Sequence, residues 1–161
     1  MNRTYSYDDV LLVPQYSDIR SRSEIDISTD LGNGVKLQLP VIASPMDTIS
    51  EGAMSEAMGR LGASAIIHRY NTIEEQARFI NKARSPTIVG AAIGVSGDYL
   101  ERASALVNAG ADFLCVDIAH GHHIMMKEAL EALRIKFGDN YHLMAGNVAT
   151  LQGINDIADW G

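Results

Sequence analysis

Cysteine is almost absent from this chain, since its 161 residues contain a single one, Cys115. One cysteine excludes an internal disulfide and fits a protein that works in the reducing cytoplasm. No apolar run approaches the roughly 20 residues that a membrane-spanning helix needs, so we expect no membrane segment. Residues 1–9 are polar and lack the apolar core of a signal peptide. The sequence therefore predicts a cytoplasmic protein without a bilayer anchor.

Basic residues are also scarce, because 13 Lys and Arg face 20 Asp and Glu and the formal net charge is −7. A protein that binds nucleic acid non-specifically needs a basic patch, so this balance argues against a nucleic-acid partner. An anionic small molecule is not excluded, because a few backbone N–H groups and one Arg are enough to bind a phosphate locally. The remaining composition, 47% hydrophobic and 20% charged, is that of a globular protein.

From residue 41 onward one pattern repeats: a short apolar run, a turn of small or polar residues, an amphipathic segment, and then Gly or Pro. The apolar runs are nearly continuous, as in strands that are buried on both faces of a parallel sheet. Strands that alternate with helices imply parallel pairing through right-handed crossovers, which is an α/β fold. The predicted strands are 41–44, 64–68, 87–93, 113–117 and 142–145.

The amphipathic segments begin beside residues that can cap a helix N-terminus, and several end at a Gly that suits a helix C-terminus. Thr72, with Glu75 three residues later, forms a capping-box pattern. The predicted helices are 51–61 after Ser50, 73–83 after Thr72, 99–109 after Ser96 or Asp98, one through residue 137 beginning at His122 or His123, and a last one after Thr150.

Residues 1–40 do not follow this pattern. Two short alternating stretches lie at 25–28 and 35–39, and the Asn33-Gly34 pair before the second is a strong hairpin signal. We expect an N-terminal arm and a small hairpin over 1–40, which close the bottom of the sheet. Five βα units over 41–161 complete a single domain.

The ends of three predicted strands carry residues suited to ligand binding, and strand C-terminal ends build the site in parallel α/β barrels. After the first strand, the Ser44 hydroxyl can hold a phosphate or sugar, and Met46 can pack on a flat base. Asp117 is an acceptor for ribose hydroxyls or a carboxamide. Gly146 permits close backbone approach, and Asn147 offers both a donor and an acceptor. Taken singly, each segment also fits an ordinary turn or cap, and for the first segment the ordinary turn is the simpler interpretation.

For three other residues, the sequence argues against one specific role each: nucleophile, metal ligand and phosphate ligand. Cys115 lies two positions before Asp117 and faces the same side one layer deeper, which predicts an inert core residue rather than a nucleophile. The His-Gly-His sequence that begins at His120 is a possible metal-binding motif, but zinc is held by three or four ligands and no Cys or Glu lies within reach in the sequence. A polar loop over a cofactor is therefore the better interpretation. Arg69 could bind phosphate, but we expect it to be solvated or ion-paired.

Taken in chain order, these segments resemble one family, IMP dehydrogenase and GMP reductase. The resemblance covers nearly the whole chain, and its last two motifs are specific. The matching stretches are residues 7–14 (YDDVLLVP), 44–48 (SPMDT), 89–94 (VGAAIG), 116–122 (VDIAHGH) and 145–150 (AGNVAT).

The resemblance implies a TIM (β/α)8 barrel, usually a homotetramer, that acts on a purine mononucleotide, GMP or IMP, with a nicotinamide cofactor, NADP or NAD. Chemistry in the family uses a Cys that forms a covalent adduct at purine C2, with hydride passing to or from the nicotinamide. Ser44 and Met46 match positions that line the nucleotide site, and Gly146 and Asn147 are assigned beside them as substrate-binding residues. Asp117 and Asn147 match positions near the nicotinamide and its ribose, and His120 is assigned to the loop over the cofactor.

The family's catalytic Cys, a second phosphate-binding Gly segment and a monovalent cation site map beyond Gly161, so no catalytic residue and no metal site is assigned to this chain. We expect the chain to supply the first five βα units of the barrel, to be inactive alone, and to be a trimmed piece of a longer enzyme. A split barrel and a self-associating fragment are the alternatives.

Two activities compete within the family. A reductase is favoured because residues 83–86 run straight into the third strand, without the regulatory insertion common in IMP dehydrogenases, and because segments 21–24 and 68–70 look reductase-like. The Ser44-Pro45 pair looks more like the dehydrogenase. We therefore expect GMP reductase, with IMP dehydrogenase as the alternative. The alternative from another class is a non-catalytic fragment of a split or truncated barrel, which binds nucleotide or takes part in assembly.

Overall fold

The computed structural model describes residues 3–83 and 87–161, in which five parallel strands form one sheet and two short strands form a hairpin. In chain order, the elements are β1 Thr29–Asp30, β2 Lys36–Leu37, β3 Ile42–Ala43, α1 Gly52–Arg60, β4 Ser64–Ile67, α2 Ile73–Ala83, β5 Val89–Ile93, α3 Tyr99–Ala109, β6 Phe113–Asp117, α4 Ile124–Phe137, β7 His142–Gly146 and α5 Leu151–Trp160.

The sheet follows chain order, β3-β4-β5-β6-β7, and every neighbouring pair is parallel. The strand–helix alternation thus predicted the α/β architecture and the parallel pairing correctly. In register, Asp117 at the end of β6 lies beside Gly146 at the end of β7. These five βα units are a half-barrel. The closed (β/α)8 barrel stays a prediction.

The sheet has a helix-covered outer face and an inner face that carries a smaller cluster. Residues of alternate parity divide between the two faces because side chains alternate across a strand. The outer core holds Ile67, Val89, Ala91, Ile93, Leu114 and Val116 against helix residues such as Leu106, Met126 and Leu130. The inner cluster consists of Val35, Ile66, Ala92, Phe113 and Cys115. Strand ends above this inner cluster are therefore where a ligand can reach the sheet.

The N-terminal region differs in part from its prediction. A hairpin forms, but its first strand is Thr29–Asp30 rather than 25–28. Asp30 pairs with Lys36, so the loop is longer than a two-residue turn, and Gly32, Asn33 and Gly34 within it all have positive φ. The hairpin places Val35 in the inner cluster, near the start of β6. Residues 3–28 are largely exposed, and the first of them lie beside Val148, after β7, rather than at the bottom of the sheet.

The observed helix N-termini confirm two of the predicted capping residues and correct two others. Thr150 accepts a hydrogen bond from the backbone N–H of Gly153, and His123 begins α4 by accepting one through Nδ1. Ser50 does not cap α1, because its buried hydroxyl donates to the Ser44 carbonyl instead. Asp98 occupies the N-cap position of α3, yet its carboxylate binds the Arg102 guanidinium at 3.1 Å rather than a backbone N–H.

The other predicted bounds lie within about two residues of the observed ones, apart from the connection at 84–86, which falls outside the described residues. No helix in the described part of the chain combines the length and the apolar character that crossing a bilayer requires.

Candidate functional site

Two adjoining cavities open at the C-terminal ends of the parallel strands, and together we call them the strand-end cleft. The larger measures about 520 Å³ and is lined by Ser44, Pro45, Met46, Asp47, Tyr70, Asp117 and Asn147. The second, about 380 Å³, shares four of these residues and continues down the inner face to Ile42, Ile66, Cys115, Met144, Ala145, Gly146 and Val148. The geometry thus brings together five of the six residues assigned from the sequence: Ser44, Met46, Asp117, Gly146 and Asn147.

The Ser44 loop is held in place by a buried serine. The Ser50 hydroxyl donates to the Ser44 carbonyl, and the Ser50 carbonyl accepts from the His68 backbone N–H at 3.3 Å. His68 is itself buried. Its Nδ1 accepts from the Tyr70 N–H at 3.2 Å, so its protonated Nε2 faces Glu51 at 3.3 Å. These contacts tie the loops after β3 and β4 together on one side of the cleft.

The opposite side is built from the loops after β6 and β7. Backbone hydrogen bonds join them: the Asn147 N–H donates to the Ile118 carbonyl at 2.8 Å, and the Gly121 N–H donates to the Asn147 carbonyl at 2.7 Å. The Asn147 side-chain amide donates to the Ile118 carbonyl at 3.1 Å and reaches the Asp117 carboxylate at 3.4 Å. Because the NH₂ group is held in this way, the side-chain oxygen of Asn147 is left to accept from a ligand.

Cys115 lies at the floor of the cleft, where it is 7% exposed and free of any disulfide. Burial, with a smaller contribution from the nearby Asp117 charge, raises the pKa of the thiol to about 12. A thiol with this pKa is protonated at neutral pH, and the thiolate is the form that attacks electrophiles. The position therefore fits the predicted inert core residue.

Sequence reasoning missed Tyr70, which lines the larger cavity and is 65% exposed. Its ring contacts the Arg69 guanidinium, whose central carbon lies 5.2 Å from the ring centroid. Its position in the sequence was a signal for the site, because Tyr70 follows β4 just as Ser44 and Met46 follow β3. An exposed aromatic ring at the mouth of the cleft offers a flat surface for a planar ligand.

Arg69 differs from its prediction, since it is half-buried and forms no ion pair with the described residues. Its Nε is buried and has no hydrogen-bond partner among the described residues. His120, the sixth assigned residue, is exposed in the loop after β6 and lies outside the lining of both cavities. Its cofactor role stays a prediction.

The neighbouring His122 makes a structural contact. Its Nε2 lies 2.8 Å from the Asp156 carboxylate on α5, and its ring stacks on Trp160 at 5.7 Å between centroids. Over the residues that the structure describes, no group of three or more His, Cys, Asp or Glu is arranged to hold a metal ion.

Comparison with known proteins identifies the family of this chain. The family model for the IMP dehydrogenase / GMP reductase domain matches residues 4–161. The chain belongs to this family. The strand-end cleft lies at the ends of β3, β6 and β7, next to the segments 44–48, 116–122 and 145–150 that carry the resemblance.

Curated relatives carry both names of the family. The GMP reductase of Mycoplasma mycoides is 31% identical over 99% of this chain and 50% of its own length, and that of Mesoplasma florum is 31% identical over 98% and 49%. The inosine-5'-monophosphate dehydrogenase of Nitrosopumilus maritimus is 26% identical over 97% of this chain and 59% of its own length. The chain thus spans about half the length of these relatives.

For a family member, the cleft provides a coherent set of groups. One wall carries a hydroxyl and a thioether, from Ser44 and the half-exposed Met46, and the other carries the Asp117 carboxylate and the Asn147 amide. A thioether packs well on a flat ring, and a carboxylate accepts hydrogen bonds from vicinal hydroxyls. This arrangement can cover a flat ring and accept hydrogen bonds from hydroxyl and amide groups.

Proposed function

We propose that the protein is a GMP reductase, in which NADPH reduces GMP to IMP with release of ammonia. The observation that carries the proposal is the convergence of Ser44, Met46, Asp117 and Asn147 on one cleft in a chain of this family. Hydroxyl, thioether, carboxylate and amide groups in one cavity are the set that a base, a ribose and a carboxamide need.

These residues offer hydrogen-bond partners to the nicotinamide cofactor, which supplies the hydride when it is bound. Asp117 would accept from ribose hydroxyls, and the free side-chain oxygen of Asn147 would accept from an amide N–H. Ser44 and Met46, on the facing wall, would hold and cover the purine. The family's catalytic Cys, second phosphate-binding segment and cation site have no counterpart assigned in this chain.

Reductase is preferred to dehydrogenase for reasons that lie in the sequence. Three residues, 84–86, separate the end of α2 from Thr87, which leaves no room there for a regulatory insertion. Segments 21–24 and 68–70 also resemble reductases. The Ser44-Pro45 pair favours the second candidate, IMP dehydrogenase, which oxidises IMP to XMP with NAD.

A turnover assay decides between these activities. The protein that the complete reading frame encodes is supplied either with GMP and NADPH or with IMP and NAD. The reductase predicts NADPH oxidation matched by ammonia release, and the dehydrogenase predicts reduction of NAD matched by XMP. Nucleotide binding without turnover of either pair would instead favour the non-catalytic nucleotide-binding fragment.

A matched pair of variants tests the cleft itself. Asp117→Asn should weaken cofactor binding about tenfold or more, because a charge-assisted hydrogen bond contributes roughly 1.5–3 kcal/mol. Asp139→Asn makes the same chemical change at an exposed position outside the cleft and should leave binding unaltered. Equal effects of the two changes would remove Asp117 from the site.

The homotetramer and the cytoplasmic location also stay predictions.

A further inference from the structure

Arg69 is a cation for which the described residues supply no counter-charge. Arg78 and Arg102 each have a carboxylate oxygen 3.1 Å away. No described carboxylate forms an ion pair with Arg69, and its Nε is buried without a hydrogen-bond partner. A buried polar group without a partner costs free energy, and a charged one costs more, unless a bound group compensates.

The guanidinium lies over the inner side of the sheet, at the mouth. Ala92 belongs to the inner cluster, and Gly94 follows two residues later, so it faces the same side. A Cβ placed on Gly94 would lie 3.5 Å from Nη1 of Arg69. The guanidinium also contacts the ring of Tyr70, which lines the strand-end cleft. Arg69 is therefore at the edge of the cleft, between the ends of β4 and β5.

The loop that carries Arg69 is held firmly. Arg102 donates to the Asn71 carbonyl from both of its terminal nitrogens at 3.2 Å, and it also donates to Gln76 at 2.8 Å. Gln76 in turn donates to the Ala92 carbonyl at 2.8 Å, near the end of β5. Asn71 itself has a buried side-chain amide with no partner among the described residues. Unsatisfied donors on a braced loop indicate a preorganised site for a polar ligand.

We propose that Arg69 binds a phosphate group of the nucleotide in the strand-end cleft. This inference rests on the proposed function and assigns a phosphate-binding residue to its site. A guanidinium is always charged and presents a planar fork of N–H donors that matches phosphate oxygens. A phosphate that accepts from the terminal N–H groups of this guanidinium would supply the counter-charge that the described residues lack. The phosphate belongs either to the mononucleotide or to the dinucleotide, and the two sources share the same chemistry.

The experiment compares phosphate-bearing ligands with phosphate-free counterparts. Binding of GMP against guanosine, and of NADPH against nicotinamide riboside, is measured by calorimetry for wild type, Arg69→Gln and Arg69→Lys in the protein of the complete reading frame. Arg78→Gln is the matched control, because it removes an equal charge from an exposed side chain of α2. In parallel, inorganic phosphate is titrated while the Nε–H signal of Arg69 is followed by NMR.

Arg69→Gln should weaken the phosphate-bearing ligand of one arm about ten- to a hundredfold and leave its phosphate-free counterpart and Arg78→Gln unchanged. Arg69→Lys should retain part of the affinity, and the Nε–H signal should shift with inorganic phosphate. The arm that responds identifies the source of the phosphate. Should Arg69→Gln fail to fold, Arg69→Lys and the wild-type titration carry the test.

The inference would be overturned if Arg69→Gln weakened the binding of phosphate-bearing and phosphate-free ligands equally. It would also be overturned if Arg69→Gln left nucleotide affinity unchanged and the wild-type Nε–H signal did not respond to inorganic phosphate. In both cases the proposed function stands. A wild-type protein that binds no nucleotide, but whose Nε–H signal responds to inorganic phosphate, would refute the proposed function and keep Arg69 as an anion site. Absence of both responses refutes both.

Discussion

Two fully buried serines near the start of α1 differ in what their hydroxyls do. Ser50 donates to the Ser44 carbonyl, which belongs to the cleft, whereas the Ser55 hydroxyl has no hydrogen-bond partner among the described residues. A net hydrogen bond contributes about 1 kcal/mol, and removing one partner leaves the other buried and unsatisfied. Replacing Ser55 therefore removes only a hydroxyl, whereas replacing Ser50 also removes a contact that shapes the cleft.

Ser50→Ala should lower the free energy of unfolding by about 1–3 kcal/mol and weaken nucleotide binding, because the Ser44 loop loses its anchor. Ser55→Ala should change stability by less than about 0.5 kcal/mol or raise it, because an unpartnered buried hydroxyl is removed. Urea denaturation and calorimetric titration measure the two effects. Equal losses of stability for the two variants would argue against this role of Ser50.

Cys115 tests whether the cleft floor is chemically inert. With its pKa raised to about 12 by burial, the thiol should react with iodoacetamide far more slowly at pH 8 than in urea-unfolded protein, and the rate should climb only at much higher pH. Cys115→Ala should keep nucleotide turnover in the complete protein, with a stability loss of about 1 kcal/mol. Fast labelling of the folded protein, or loss of a covalent nucleotide adduct in this variant, would contradict the assignment.

At the scale of elements, the loops after β6 and β7 meet so closely that one position requires glycine. A Cβ on Gly121 would lie 2.9 Å from the Asn147 carbonyl oxygen and 3.0 Å from the Gly146 carbonyl carbon. These are backbone atoms, so neither can swing aside as a side chain would. Gly121, which the sequence presented only as the centre of a His-Gly-His motif, sets the distance between the two loops.

Gly121→Ala should therefore push the Asn147 loop outward, lower stability by roughly 1–3 kcal/mol, and reduce cofactor affinity. Gly52→Ala is the control, because the nearest atom to its added methyl lies at 3.4 Å and alanine favours a helix. Thermal unfolding and dinucleotide titration distinguish the two changes. A Gly121→Ala protein as stable and as tightly binding as Gly52→Ala would show that the loops have room to relax.

Elements could be predicted from the sequence where the signal is local. The apolar run at 113–116 forms β6 as predicted, and Thr150 caps α5 as predicted. Ser50 failed as a cap because a carbonyl six residues earlier, which folding brings near, competes for its hydroxyl. The cleft residues Ser44, Asp117 and Asn147 follow from the rule that parallel strands end together. Tyr70 could have been placed in the cleft by the same rule, because it follows β4. The burial of the Arg69 Nε, in contrast, depends on side-chain packing between neighbouring loops, which no local sequence pattern indicates.

At the scale of the whole molecule, the half-barrel leaves apolar surface uncovered. Within the described residues, β3 and β7 each pair with one neighbour only, so each has an open edge. Every residue of β7 is partly exposed, including Met144 on the inner face, whereas every residue of β5 is buried. Open strand edges and contiguous apolar surface both promote association.

We therefore expect the isolated 161-residue chain to self-associate with rising concentration, to bind the dye ANS, and to turn over no nucleotide. Met144→Gln should reduce dye binding and association, because it makes the inner face at β7 more polar. Ile135→Gln is the matched control, since Ile135 is 88% exposed on α4 and lies outside both core clusters. Sedimentation over a range of concentrations and ANS fluorescence measure the difference. If the chain stays monomeric, binds no ANS and unfolds cooperatively, its inner face is covered, and the prediction of exposed apolar surface is wrong.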